Sequence, residues 1–372
     1  MLILDPVCDM SRTTDRRGGR DGSPRVVVVD DSPFMRGLIS DLLSDAGVAV
    51  VGEAGDGNEA LSVVAETRPD VVTMDVEMPG MGGLEAVERL MEETPTPVLM
   101  LSAHTDEGAA VTFEALDRGA VDFFAKPGGE VSTGVSRESE RLVEAVRSVA
   151  DADLDAATRE RDDPASSAAD AGELSDVETT GVDGPLTAVI AASTGGPNAV
   201  ERVLSALPMA DCRVVIVQHM PEAFTSRFAD RLDAASAYDV REASDGARIG
   251  AGEALVARGG SHTLVDGYRA GRLRVKLDAD DDSHTVSPAA DVTMRSAAET
   301  VDDPLVGVVL TGMGSDAAEG IRAMADAGAR TLAQSEDTCV IYGMPKRAVD
   351  TGGVDEVYDL DDVAGAIVGG EA

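Results

Sequence analysis

At 372 residues the chain is about two and a half times an ordinary domain of roughly 150, so two domains and a sizeable connection are expected. Lys and Arg number 31 against 69 Asp and Glu, a formal net charge of −38. With no Trp and 3% aromatic residues, the surface offers nucleic acid neither a basic footprint nor stacking platforms. A hydrophobic share of 43% supports large cores and excludes disorder throughout.

In chain order, residues 1–24 open with a brief apolar run and continue with Asp, Arg and Gly, so they are expected to be a disordered leader without a secretory signal; Met10 is a second candidate start. Apolar runs follow at Val26–Val29, Val48–Glu53, Val71–Met74, Val98–Leu101 and Val121–Phe124. Amphipathic stretches such as Phe34–Leu43 and Leu84–Met91 separate them, and a last helix is expected near Arg137–Val149. This alternation predicts five buried parallel strands in a doubly wound α/β domain over residues 25–150. Residues 151–184 lose their large apolar side chains, gain Ala, Asp, Glu, Ser and Thr, and are broken by Pro164 and Gly172, the composition of an acidic flexible linker. From 185 to 372 a second doubly wound α/β domain is predicted. Its strands lie at Thr187–Ala192, Arg213–Val217 and Leu305–Leu310, with a hairpin over His262–Val265 and Arg272–Leu277 inserted into or beside the sheet.

In open parallel sheets chemistry gathers at the carboxyl ends of the strands. The first strand ends in Asp30-Asp31, the third in Asp75 and the fourth in Ser102, and the fifth is followed by Lys126. Three converging carboxylates make a hard oxygen site suited to Mg²⁺, while a hydroxyl and an ammonium at the same rim can hold phosphoryl oxygens. An Asp pair alone means little in so acidic a chain, since Asp162-Asp163 and Asp302-Asp303 are most simply solvated surface. Strand-end position is what sets Asp30, Asp75 and Lys126 apart.

The segments V-V-V-V-D-D-S, D-V-E-M-P-G-M-G-G-L-E and F-F-A-K-P resemble the flavodoxin-like receiver domain of two-component response regulators. The resemblance implies that Asp75 is the phosphorylated carboxylate. It also makes Asp30, Asp31, Asp75 and the Glu77 main-chain carbonyl the Mg²⁺ ligands, and Ser102, Lys126 and Phe123 the phosphoryl-binding and switch residues. Gly82 stands where that family usually has Asp.

The second domain places Ser193-Thr194-Gly195-Gly196 after one strand, Gln218-His219-Met220-Pro221 after another, and Thr311-Gly312-Met313-Gly314-Ser315-Asp316 after a third. A Ser on a strand-to-helix turn exposes its hydroxyl beside backbone N–H groups, His219 can be its base, and Asp316 can orient the base. Each element also has a plainer reading, because a Ser-Gly turn caps helices or cradles phosphate and a Gly-rich loop can do the same. The four histidines do not compete equally: His219 closes an apolar strand, whereas His104, His262 and His284 are expected in polar turns or loops. A phosphorylation-dependent response regulator that binds a nucleotide or phosphate without catalysis therefore stands as the alternative to an enzyme.

A-S-T-G-G, Q-H-M-P, T-G-M-G-S-D and Tyr342-Gly343-Met344-Pro345, in this order behind a receiver, resemble the protein-glutamate methylesterases of chemotaxis. The resemblance implies Ser193 as nucleophile, His219 as base, Asp316 as its partner and the Met313 backbone N–H as an oxyanion donor, with no cofactor for ester hydrolysis. It further implies methyl-ester hydrolysis and glutamine deamidation on the cytoplasmic helices of chemoreceptors, a histidine kinase phosphodonor, a cytoplasmic location, and no direct membrane insertion. The unphosphorylated receiver would cover the Ser193 mouth. Ala191 and Ala317 stand where the family usually has Gly, so tight turns of altered backbone angle are expected there, and Ser287-Pro288 lacks the Arg that usually precedes that Pro.

Cys8, Cys212 and Cys339 are scattered and odd in number, which points to neither a disulfide framework nor a zinc site. Lysine is confined to Lys126, Lys276 and Lys346, and with so many carboxylates the composition resembles that of halophile proteins. Like charges at this density repel at low ionic strength and are screened when the Debye length falls to ~3 Å near 1 M salt. Thermal melting is accordingly expected to rise steeply between low and molar salt, and a curve insensitive to salt would exclude the halophilic reading.

Overall fold

Four consecutive valines, Val26–Val29, are buried on both faces, as a central parallel strand requires. They form β1 (Arg25–Val29) in a computed structural model that describes residues 22–102, 106–126, 135–162, 184–279 and 284–369. The chain continues through α1 (Pro33–Asp45), β2 (Ala49–Ala54), α2 (Gly57–Thr67), β3 (Val71–Asp75), α3 (Gly83–Glu93), β4 (Val98–Ser102), α4 (Asp106–Asp117), β5 (Asp122–Ala125) and α5 (Val135–Ala150). The strands form one parallel sheet in the order β2-β1-β3-β4-β5, the flavodoxin-like winding. Its reversal point lies between β1 and β3, so Asp30 and Asp75 meet at the crevice. Helix starts are set locally: the Ser32 hydroxyl accepts the Met35 N–H at 3.4 Å with Pro33 next in line, and Asp56 caps α2 through the N–H groups of Asn58 and Glu59.

The expected linker is corrected in its first part. Residues 154–162 form α6 (Leu154–Asp162), with Ala156 and Ala157 buried; Asp153 caps it by accepting the Asp155 and Ala156 N–H groups. The helix is seated by Ala156, Ala157 and the half-buried Leu154, which pack on a neighbouring surface that composition could not reveal. The remaining linker residues up to 183, and residues 1–21 of the expected leader, lie outside the described residues.

The second half runs through β6 (Leu186–Ala192), α7 (Gly196–Ala206), β7 (Cys212–Gln218), α8 (Glu222–Ala235), β8 (Asp239–Glu242), β9 (Arg248–Ile249), β10 (Glu253–Val256), β11 (His262–Arg269) and β12 (Arg272–Asp278). It ends with α9 (Ala290–Thr300), β13 (Leu305–Val309), α10 (Ala318–Asp326), β14 (Arg330–Gln334), α11 (Met344–Asp350), β15 (Glu356–Tyr358) and α12 (Leu360–Ile367). Seven strands make a parallel sheet ordered β15-β14-β13-β6-β7-β10-β8. The predicted hairpin is real but stands beside that sheet, as antiparallel β11 and β12 joined by β9. It packs on α9, where the Ser296 hydroxyl accepts the Val265 N–H at 2.9 Å. His262 is not in a polar turn: it is buried in β11, and its Nδ1 accepts the Ala289 N–H at 3.1 Å. His104 lies outside the described residues.

The halves meet through aromatic side chains. Phe123 on β5 stacks on Phe224 of α8 with centroids 4.6 Å apart, and Phe113 on α4 stacks on Phe228 at 5.9 Å. Arg231 lies 5.6 Å from the Phe113 ring centroid and pairs with Asp117 at 2.8 Å and with Glu201. Asp153 N–H donates to the Val340 carbonyl at 3.0 Å, and the Asp122 carboxylate accepts a hydrogen bond from the Thr194 hydroxyl. The first half therefore touches the chain on both sides of the Ser193 turn.

Candidate functional site

At the rim of the first sheet, Asp30, Asp31 and Asp75 each present a carboxylate oxygen within 4.8 Å of the others. Asp30 and Asp75 are buried and Asp31 is exposed. Lys126 Nζ reaches Asp75 Oδ2 at 2.7 Å and Asp30 Oδ2 at 2.9 Å. Burial pushes the Asp75 carboxyl above its ordinary pKa, with the Asp30 charge adding, although Lys126 pulls the other way. Burial also acts to lower Lys126, and its hydrogen bonds to Asp75 and Asp30 outweigh that and hold the ammonium above its ordinary value. The Glu77 N–H donates to Asp75 Oδ1 at 3.3 Å, and the buried Ser102 accepts the Lys126 N–H on its carbonyl at 2.8 Å. Phe123 is the outlier: it lies away from the carboxylates, against Phe224.

In the second sheet the order β13-β6-β7 brings three strand ends side by side. Ser193 follows β6; its N–H donates to the Thr311 carbonyl at 3.0 Å, and its own carbonyl accepts from Gly196 N–H at 2.7 Å and Gln218 Nε2 at 2.8 Å. The turn into α7 requires Gly195 at φ 76°, where a Cβ would also sit 2.8 Å from Val340 Cβ. Gly312 is equally constrained, since a Cβ there would lie 2.8 Å from Ser193 Cβ.

His219 follows β7, and its Nε2 lies 2.7 Å from Asp316 Oδ2, both side chains being about nine-tenths buried (11% and 12% exposed). Burial alone would raise the Asp316 carboxyl. The hydrogen bond and charge of His219, with the backbone N–H groups of Asp291 and Ala290, instead bring it down to about 2. Asp316 is thus a carboxylate held ionised beside an imidazole. Met313 stands partly exposed in the turn between Thr311 and Asp316.

Two sequence departures resolve differently. Ala191 is buried within β6 and needs no special backbone angle, whereas Ala317 keeps the left-handed conformation, φ 74°, despite its Cβ. That conformation costs an L-residue roughly 1–2 kcal/mol, partly offset because the Ala317 methyl is fully buried in the core.

Three residues support the site in roles that the motifs did not announce: Gln218 and Thr311 lie within the motifs, and Gln334 lies outside them. Gln218 clamps the Ser193 carbonyl, the Thr311 hydroxyl donates to the Thr194 carbonyl at 3.0 Å and accepts the Ile341 N–H at 2.9 Å, and Gln334 Oε1 accepts the Thr311 N–H at 2.8 Å. Their signal was a polar residue closing an apolar strand, the same signal that exposed His219. Tyr342-Gly343-Met344-Pro345 forms the wall behind the turn, with the Met344 N–H donating to the Gly312 carbonyl at 2.7 Å.

Comparison with known proteins matches both halves of the chain. Residues 26–132 match the response regulator receiver domain and residues 188–367 the CheB methylesterase. A "Protein-glutamate methylesterase/protein-glutamine glutaminase" of Haloarcula marismortui is 58% identical, covering 92% of this chain and 96% of its own length. One of Halobacterium salinarum is 57% identical over the same shares. Among solved structures, the CheB methylesterase catalytic domain of Thermotoga maritima is 34% identical, covering 50% of this chain and 98% of that one, with a TM-score of 0.48. With both halves matched in the same order and identity this high across nearly the whole length, the chain belongs to the protein-glutamate methylesterase/protein-glutamine glutaminase family.

Proposed function

We propose that this chain is a phosphorylation-controlled serine esterase of chemotaxis adaptation. It hydrolyses glutamate methyl esters on the cytoplasmic helices of chemoreceptors and deamidates receptor glutamines at the same site. Residues 25–150 are its receiver and 185–372 its catalytic half. The observation that carries this reading is the 2.7 Å contact of His219 with an ionised Asp316 at the sheet rim that also bears Ser193.

With Nε2 engaged by Asp316, the His219 Nδ1 is the nitrogen left to take the Ser193 proton as Oγ attacks the ester carbonyl. The oxyanion is held by backbone N–H groups, that of Met313 among them. The tetrahedral adduct collapses to an acyl-enzyme as His219 returns the proton to methanol. Water then repeats the sequence and releases glutamate; a glutamine substrate loses ammonia at the first collapse. This half needs no cofactor. Asp316 also weighs against the nucleotide- or phosphate-binding alternative, because it sets a carboxylate in the loop where phosphate oxygens would lie. Covalent labelling of Ser193 by a fluorophosphonate, with methanol release from methylated receptor, tests the reading; tight nucleotide binding without labelling would favour the alternative.

In the receiver, Asp75 accepts the phosphoryl group from the pathway's histidine kinase. The clustered carboxylates Asp30, Asp31 and Asp75 fit Mg²⁺, and they would hold it together with the Glu77 carbonyl, where it supplies charge neutralisation for the phosphoryl oxygens. Lys126 and Ser102 bind those oxygens, and Phe123 is the aromatic whose packing against Phe224 changes with them.

Closure of the receiver over the Ser193 turn carries a pH signature. Burial pushes Asp122 up to about 7, against hydrogen bonds from the Phe123 N–H and the Thr194 hydroxyl, and release of the contact returns the carboxyl toward its ordinary value of 3.8. The closed state therefore binds the extra proton between those values, so closure is strongest below about pH 4 and weakens as pH rises from there through about 7, above which the loss is complete. Asp122→Asn, which cannot ionise, is expected to hold basal activity low at pH 8, where the parent chain opens. Equal basal activities of the two proteins from pH 6 to 8 would remove Asp122 from control.

A further inference from the structure

We infer that Asp291 is a positioning residue for the catalytic carboxylate, acting through a reciprocal pair of helix caps; the inference rests on the esterase reading above. Asp316 immediately precedes Ala317, the N-cap of α10, and its carboxylate receives the first N–H groups of α9. Oδ2 accepts from Ala290 at 2.6 Å and Oδ1 from Asp291 at 3.0 Å. Asp291, in the first turn of α9, returns the cap by accepting the Gly320 N–H of α10 at 2.6 Å. Each helix thus has its N-terminal donors satisfied by a carboxylate carried by the other.

The helices can approach this closely only because residue 320 is glycine. A Cβ there would sit 2.7 Å from Met294 Cβ and 3.0 Å from Asp291 Cα. Farther back, His262 Nδ1 accepts the Ala289 N–H and fixes the entry to α9. Oδ1 of Asp316 is thus held by the Asp291 N–H while Oδ2 is shared by the Ala290 N–H and His219, so the α9 donors fix the orientation that the carboxylate offers the imidazole. Without the Asp291 cap, α9 is free to shift from α10, and the two donors that fix Asp316 go with it.

Asp291 itself makes no contact with Ser193 or His219 among the described residues. The charged groups facing it are Asp316, Glu319 and Arg295, the last two paired with each other at 2.9 Å. Burial first, and then the Asp316 and Glu319 charges, push its own carboxyl up to about 6, as expected for a second acid beside an ionised one.

A misplacement on the scale of 1 Å at a catalytic group costs up to about 10²-fold in rate. In the full chain, Asp291→Ala is expected to lower kcat at least tenfold with KM little changed. It should also change the His219 ring-proton chemical shifts, because the Nε2 contact with Asp316 is no longer held in one geometry. Asp291→Asn keeps an oxygen acceptor for Gly320 and should recover most of kcat, whereas Gly320→Ala, which forces the helices apart, should reproduce the loss. The chain has only four histidines, so ring-proton NMR can follow His219 directly in every variant. If Asp291→Ala and Gly320→Ala leave both kcat and the His219 ring-proton chemical shifts within error of the parent, the positioning role is wrong. If instead the parent and Ser193→Ala are equally inactive toward methylated receptor, the esterase reading has failed, and the His219 ring-proton chemical shifts still decide whether Asp291 orients the Asp316–His219 pair.

Discussion

Ser193→Ala is expected to reduce methanol release from methylated receptor by about 10³- to 10⁶-fold while leaving the fold intact. The magnitude follows from the division of labour at the rim. Without its Oγ no acyl-enzyme forms, and what remains is substrate binding and oxyanion stabilisation acting on water, which retains only a small part of the acceleration. His219→Ala should cost nearly as much, because the nucleophile then keeps its proton. Asp316→Ala should be milder, since Asp316 touches the base and not the substrate, but it also removes the acceptor for two α9 N–H groups and so should lower stability as well. Steady-state kinetics with circular dichroism checks both parts. Retention of more than about a tenth of the activity by Ser193→Ala would move the nucleophile elsewhere.

Removal of residues 1–184 is expected to raise basal esterase activity at least tenfold over the unphosphorylated chain. Asp75→Asn should leave basal activity low and abolish stimulation by a small-molecule phosphodonor with Mg²⁺. The interface supplies the scale. Two aromatic pairs, Phe123 with Phe224 and Phe113 with Phe228, are worth about 0.5–1.5 kcal/mol each beyond their buried area, and each ~1.4 kcal/mol is tenfold in a closed-to-open ratio. Phosphorylation can release the catalytic half only by as much as it weakens those contacts relative to the open state. Phe123→Ala in the full chain should therefore raise basal activity part of the way. If the truncated protein is no faster than the full chain, the receiver does not inhibit, and its role becomes delivery to the receptor.

Much of this arrangement was legible in the chain itself. Buried parallel strands are continuous apolar runs, so Val26–Val29, Val71–Met74 and Val98–Leu101 announced themselves, and the first polar residue after each run marked the rim where chemistry collects. Asp30, Asp75 and Ser193 are such residues and His219 directly follows another, Gln218, and their types sufficed to suggest a phosphoacceptor and a nucleophile with its base. Composition spoke as clearly about charge.

What the sequence could not determine depends on contacts between segments far apart in the chain. Helix α6 is anchored by Leu154 and two buried alanines in an acidic stretch that looks like linker, because packing on a neighbouring surface holds it. The exchange of caps between Asp291 and Asp316 joins α9 to α10 through a glycine whose purpose is invisible until both helices are in place. The Phe113, Phe123, Phe224 and Phe228 cluster, and the Asp122 to Thr194 contact, combine residues up to about a hundred positions apart. Local patterning determined the strands, the rims and the chemical types standing on them, since these follow from each segment's own periodicity. Only tertiary packing decided which rim faces the other domain, which carboxylate is buried and raised, and which is held ionised. Proximity, desolvation and opposing charge are properties of the assembled fold and not of any one segment.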